Sequence, residues 1–202
     1  MALPFALRVV WFILALLAIP GSWIALVPFA RAANVYWAPM AYGAAATVME
    51  GIFCLGIIWN MDSVKMPRSF CWAQTIIFAV CTYILTGICT CLAWATYTTV
   101  VRPNYHANDG RQRYNTPLLV WRDAYIIPSV VFPLAASGVF TWVVIRLDAA
   151  KPSEGMYCDP TSPLWPRVLS YAGAPLLLAI PSFALSTLTA LRIMRVESTA
   201  RR

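Results

Sequence analysis

The sequence predicts an all-α fold: a polytopic transmembrane helix bundle of five spans, forming one domain over residues 1–202. Three observations carry this. Hydrophobic residues make up 60% of the chain and charged residues only 11%, where a soluble domain has about 45–50% and about 25%. Mean hydropathy is +0.68. The apolar residues are gathered into five blocks, each long enough to match the ~20 residues that cross a ~30 Å hydrocarbon core. So few charges cannot cover a water-facing surface, which excludes a soluble enzyme, a disordered tail and a nucleic-acid-binding domain. The net charge of +7 is scattered between the blocks, as a topology signal is, rather than gathered into a patch for nucleic acid.

The first span lies near 9–30, between Arg8 and Arg31. A cleaved signal peptide would have the same basic start and an Ala30-Arg31-Ala32 site. The apolar run continues through Trp23–Phe29, beyond a normal h-region, which favours a retained helix. The second span lies near 39–60 and contains one acid, Glu50. The third, near 71–97, opens at Cys71 and stays uncharged until Arg102. The fourth, near 118–145, carries Arg122 and Asp123 in its first turns, and the fifth lies near 164–191. These blocks are too long and too evenly apolar for barrel strands. Pro20, Pro128, Pro133, Pro175 and Pro181 fall inside spans. Membrane helices tolerate proline where neighbours satisfy the freed carbonyls.

Five spans place the termini on opposite faces. Arg8, Lys65, Arg68, Arg146, Lys151 and Arg167 lie nearer one face. Arg31, Arg102, Arg111, Arg113, Arg122, Arg192, Arg195, Arg201 and Arg202 lie nearer the other. The larger basic count marks the cytoplasmic side, so the N-terminus is expected outside and the C-terminus inside. Cys54, Cys81, Cys89 and Cys91 lie within spans and read as small apolar residues. Cys71 and Cys158 instead fall together on the outer face, where disulfides persist. A bridge there would tie the head of span three to the loop between spans four and five. The alternative is two free thiols sharing a face. With a single histidine, His106, and no Cys-x-x-Cys pair, no zinc site is expected, and no cofactor is implied.

A cysteine opening helix three and bridged to the loop after helix four resembles rhodopsin-like G-protein-coupled receptors. Tyr97 and Pro103 fall where that family has the tyrosine of its Asp-Arg-Tyr motif and a loop proline. Trp121 resembles its helix-four tryptophan. The stretch from Tyr157-Cys158-Asp159-Pro160 to Ser170-Tyr171-Ala172-Gly173-Ala174-Pro175 resembles seven-helix receptor-like proteins of basidiomycete fungi. Ala95 and Thr96 stand where the family has its aspartate and arginine. The resemblance implies the first five helices of a seven-helix receptor, truncated after helix five. It implies an extracellular ligand, a plasma-membrane location, and a heterotrimeric G protein or a full-length receptor as partner. Thr96, Tyr97, Arg102 and Pro103 would then face the effector.

Glu50 is the one acid well inside a span, and intramembrane acids gather at functional sites. Two readings stay open: a ligand contact or switch, or a hydrogen-bonded structural acid near a helix end. Gln74, Thr75 and Thr82 on helix three are its candidate partners. Trp59, Phe70, Trp72, Tyr157 and Trp165 form an interfacial aromatic belt or, alternatively, line a small apolar ligand. No nucleophile–base pair, zinc motif or phosphate loop supports an enzyme. The competing reading is a small structural or transport-related membrane protein unrelated to receptors.

Overall fold

The computed structural model describes residues 5–101, 121–152, 157–160 and 163–200. Five helical segments there are long and apolar enough to cross a membrane: Phe5–Ala32, Trp37–Trp59, Arg68–Val101, Asp123–Leu147 and Trp165–Arg195. The protein is thus a largely helical, multi-span membrane protein.

Helix α1 (Phe5–Ala33) runs through Pro20 and Pro28 without a break. Helix α2 (Trp37–Cys54) tightens into a 3-10 turn, Leu55–Trp59, which stops at Asn60 in the left-handed region (φ 54°). Asparagine reaches that region more easily than most side chains. Helix α3 (Arg68–Val101) has 34 residues, about 50 Å at 1.5 Å per residue, so it overshoots a ~30 Å core and must tilt or project.

The fourth span starts later than hydropathy predicts. Arg122 is extended (φ −130°, ψ 146°), and the helix begins with a 3-10 turn at Asp123–Tyr125. Arg122 and Trp121 therefore precede the helix rather than occupying its first turns. A π turn, Ile127–Val131, follows and leads into α4 (Phe132–Leu147). The fifth span repeats the device: α5 (Trp165–Val168), a π turn at Leu169–Gly173, then α6 (Ala174–Ala200). Each π turn is followed two residues later by a proline, Pro133 or Pro175. A proline lacks the N–H for an i→i−4 bond and its ring crowds that carbonyl. Widening the preceding turn relieves the crowding without ending the helix.

Between the fourth and fifth spans lies a feature that no periodicity announces. Strands β1 (Ala150–Pro152) and β2 (Cys158–Pro160) pair antiparallel, with Ala150 opposite Pro160 and Pro152 opposite Cys158. The fold is all-α in its spans but carries a small β ribbon in this loop.

Helix α3 is the hub. It packs against α2, α4 and α6, while α1 lies on α2. Of its most apolar stretch 39% is buried, against 6% for the first span. Tyr83 on α3 sits edge-on to Phe132 and Phe140 at centroid distances of 6.1 and 6.5 Å. Toward the far end Ile88, Cys91 and Ala95 pack with Val35, Ala38 and Tyr125. Gly87 marks the tightest crossing: a Cβ there would stand 2.0 Å from the Pro128 carbonyl oxygen. Small residues let membrane helices approach backbone to backbone, and here the π turn of the fourth span takes up that space.

Leu17, Ile24, Leu134, Trp142, Leu177, Ile180 and Phe183 are exposed on the outer surface. So wide an apolar exterior is suited to lipid, not water. Several threonine hydroxyls of α3 are satisfied locally: Thr82 donates to Phe78 O (2.8 Å), Thr86 to Thr82 O (2.7 Å) and Thr90 to Thr86 O (2.9 Å). Polar contacts also link helices. Trp23 Nε1 donates to Thr47 Oγ1 (2.9 Å) between α1 and α2. Ser182 Oγ lies 3.0 Å from Thr90 Oγ1 between α6 and α3.

Candidate functional site

One end of the bundle is closed by a covalent clasp. Cys71, in the first turn of α3, is bonded to Cys158 of β2, with Cα atoms 5.1 Å apart and a separation of 87 positions in sequence. Both are buried, with Met66, Trp59 and Phe70 packed around them. One turn deeper, α3 adds two hydrogen bonds to the same loop residue. The Cys158 N–H donates to Gln74 Oε1 (2.9 Å), and the Thr75 hydroxyl donates to Cys158 O (3.3 Å). Positions 71, 74 and 75 share a face of a helix. That face satisfies backbone groups of the strand at Cys158. The polar residues expected beside Glu50 are thus used elsewhere. Gln74 and Thr75 serve the loop, and Thr82 is turned onto the carbonyl of Phe78.

Two ion pairs flank the clasp, and they differ in kind. Arg68, at the start of α3, pairs with Asp148, just past α4, both well exposed. Arg68 hydrogen-bonds that carboxylate and holds Asp148 below the ordinary carboxylate range. The Arg68 guanidinium also lies 5.8 Å from the centre of the Trp72 ring, a cation–π contact. Arg167 of α5 reaches Asp159 with Nε–Oδ2 at 2.7 Å, but the Asp159 side chain is 2% exposed. Burial raises the Asp159 pKa, while Arg167 and the Tyr171 hydroxyl pull the other way. The sequence reading gave none of these four residues a site role, counting Arg68 and Arg167 only toward topology. Their one signal was charge placed beside Cys71 and Cys158, on the loop that the bridge closes.

Below the clasp, α1, α2 and α3 leave a cleft of about 530 Å³. Its wall is apolar and aromatic (Trp11, Leu14, Phe53, Phe78), Tyr157 covers its loop end, and Glu50 is its acid. Phe78 and Tyr157 meet edge-on at 5.9 Å. Among the described residues the Glu50 carboxylate has neither a hydrogen bond nor an ion pair. Of the aromatic residues expected at this end, Trp59 and Phe70 stack on one another at 4.6 Å, Trp72 lies under Arg68, and Trp165 is exposed. Tyr157 is the one that joins the cleft.

A second cleft of about 580 Å³ opens toward the other end, among Thr90, Trp94, Tyr97, Pro128 and Pro181. Tyr97 lines it. Thr96 is exposed, and its hydroxyl donates to the carbonyls of Leu92 and Ala93. The structure therefore separates these neighbours, and Arg102 and Pro103 lie outside the described residues. Compared with protein-family models, curated proteins and solved structures, the chain matches none.

Proposed function

We propose that this chain is a receptor-like protein of the plasma membrane, a homologue of seven-helix receptors that senses an extracellular ligand. Its N-terminus is outside and its C-terminus in the cytoplasm. The observation that carries the reading is the clasp: a disulfide joins the head of the most buried helix to the loop between the fourth and fifth spans. Disulfides persist on the oxidising side of a membrane, which agrees with the smaller basic count on that face. The bridge also holds the loop over an aromatic cleft, where a ligand arriving from outside would meet it. Tyr97, beside the second cleft, faces the effector in this reading, with a heterotrimeric G protein or a full-length receptor as partner.

The test has two steps in cells. Epitopes at the two termini are stained with and without permeabilisation; the N-terminal one is expected to stain on intact cells and the C-terminal one only after permeabilisation. A proximity-labelling enzyme at the C-terminus is then expected to mark Gα subunits or seven-helix receptors above a membrane-matched control. The opposite orientation would put the Cys71–Cys158 bridge in a reducing compartment and sink the reading. Correct orientation without those neighbours would favour a transport or structural role.

A further inference from the structure

The cleft between α1 and α2 has a composition that membrane lipid alone does not explain. Its volume, about 530 Å³, falls in the range of ligand sites, roughly 300–1,000 Å³. Hydrocarbon chains would satisfy Trp11, Leu14 and Phe53, but they leave a carboxylate without a partner. Glu50 stands ten residues before the cap at Asn60, about 15 Å down the helix from the loop end. An acid at that depth is expected to have a counter-charge or a hydrogen-bond partner, and none of the described residues provides one. The surrounding rings point to the same chemistry, because the faces of Trp, Tyr and Phe attract cations, quaternary ammonium groups above all. Trp11 and Leu14 are half exposed, so the cleft is not sealed along α1.

We propose that the cleft between α1, α2 and α3 binds a lipophilic monocation, an alkyl- or arylammonium, with its charged head against Glu50 and its apolar body along Trp11 and Phe53. Tyr157 and Phe78 close the site beneath the clasp. The site is independent of the receptor reading: it requires only the cleft and its acid, whatever the C-terminal side of the bundle meets.

The experiment uses the full chain in nanodiscs of neutral lipid. A benzophenone-bearing alkyltrimethylammonium is photo-crosslinked and the labelled peptides are mapped. Labelling is expected in the segments around Trp11–Ala18 and Met49–Phe53. 4-Butylphenyltrimethylammonium should suppress it at least tenfold more effectively than its neutral tert-butyl isostere. Glu50→Gln should cut labelling by the cationic probe at least tenfold and leave a neutral benzophenone probe unaffected. Equal competition by the isostere, or undiminished cationic labelling in Glu50→Gln, would overturn the proposal and leave a lipid-filled groove. The competitor pair acts on the unaltered protein, so the result stands even if Glu50→Gln fails to keep the Cys71–Cys158 bridge. Cation binding without G-protein or receptor neighbours would retain this site and reject the receptor reading.

Discussion

The head and the waist of α3 are fastened by opposite means. At its head the helix is joined to the loop by a covalent bond, two hydrogen bonds to Cys158 and the Arg68–Asp148 ion pair, while Arg167 of α5 braces Asp159 of the same loop. At its waist Gly87 meets the Pro128 carbonyl, and close fit dominates, with the Thr90–Ser182 hydroxyl contact one turn away. The head gathers polar and covalent links because it holds a loop whose backbone groups would otherwise be unpaired near lipid. The waist needs fewer, since helical backbones satisfy most of their own groups. Chemistry therefore fastens the irregular part of the chain, and shape fastens the regular part.

The largest expected effect comes from the head. Cys158→Ser removes a cross-link over 87 residues. Chain-entropy arithmetic gives more than 4 kcal/mol for such a loop in water; spans already confined by lipid reduce that to about 3 kcal/mol. At about 2–4 °C per kcal/mol for a chain of this size, the detergent-solubilised protein should melt roughly 10 °C lower. Reductant should lower the unaltered protein equally and the variant not at all. A variant that melts with the parent would mean that Gln74 and Thr75 hold the loop unaided.

The waist is tested by a pair of glycines. Gly87→Ala sets a methyl 2.0 Å from a backbone oxygen, so a helix must move, with an expected loss of about 2–3 kcal/mol from overpacking. Gly43→Ala meets only the tips of Leu26 and Trp23, at 3.1 Å. Side-chain tips yield, and alanine favours the helix, so the change should stay within about 1 kcal/mol of zero. Thermal melting of the two variants side by side checks this. Equal losses would show that the fourth span is free to shift away from α3.

These contrasts mark where the sequence was legible. The five spans could be read because hydropathy is a local property summed over many residues. The pairing of Cys71 with Cys158 could be read because charge assigned both to one face. The ribbon could not: Ala150-Lys151-Pro152 and Cys158-Asp159-Pro160 are too short to alternate. Pro133 and Pro175 announced a disturbance but not its form, since kink or π turn depends on the room left by the neighbouring helix. Gln74 and Thr75 were read as polar residues of α3, correctly, yet assigned to Glu50. Helical spacing fixes the face of a residue, whereas the loop backbone that claims it comes from more than eighty residues away. Gly87 was no different in sequence from Gly43; what separates them is a carbonyl 41 residues further along the chain.

The smallest expected effects divide the head itself. Asp148 and Asp159 each face an arginine, yet they should respond to pH in opposite directions. Asp148 is held below its ordinary value of 3.8 by Arg68. The unfolded chain takes up its proton first, so this contribution is present above pH 3.8 and is lost as pH falls through the folded value. Asp159 is raised above 3.8 by burial. Its folded form keeps the proton longer, so its contribution is complete below pH 3.8 and declines as pH climbs through the raised value. Melting temperature against pH should therefore lose its acid-side fall in Asp148→Asn and its decline on the alkaline side of 3.8 in Asp159→Asn. Salt separates them further. The Arg68–Asp148 pair is exposed and should be screened at 1 M, where the Debye length is about 3 Å. The Asp159 side chain lies out of reach of counter-ions. Asp148→Asn should therefore match the parent at high salt, while Asp159→Asn should still differ. If both variants converge on the parent, Asp159 is hydrated in solution, and the head of α3 is held by the disulfide and the two Cys158 hydrogen bonds, with its ion pairs only decorating the surface.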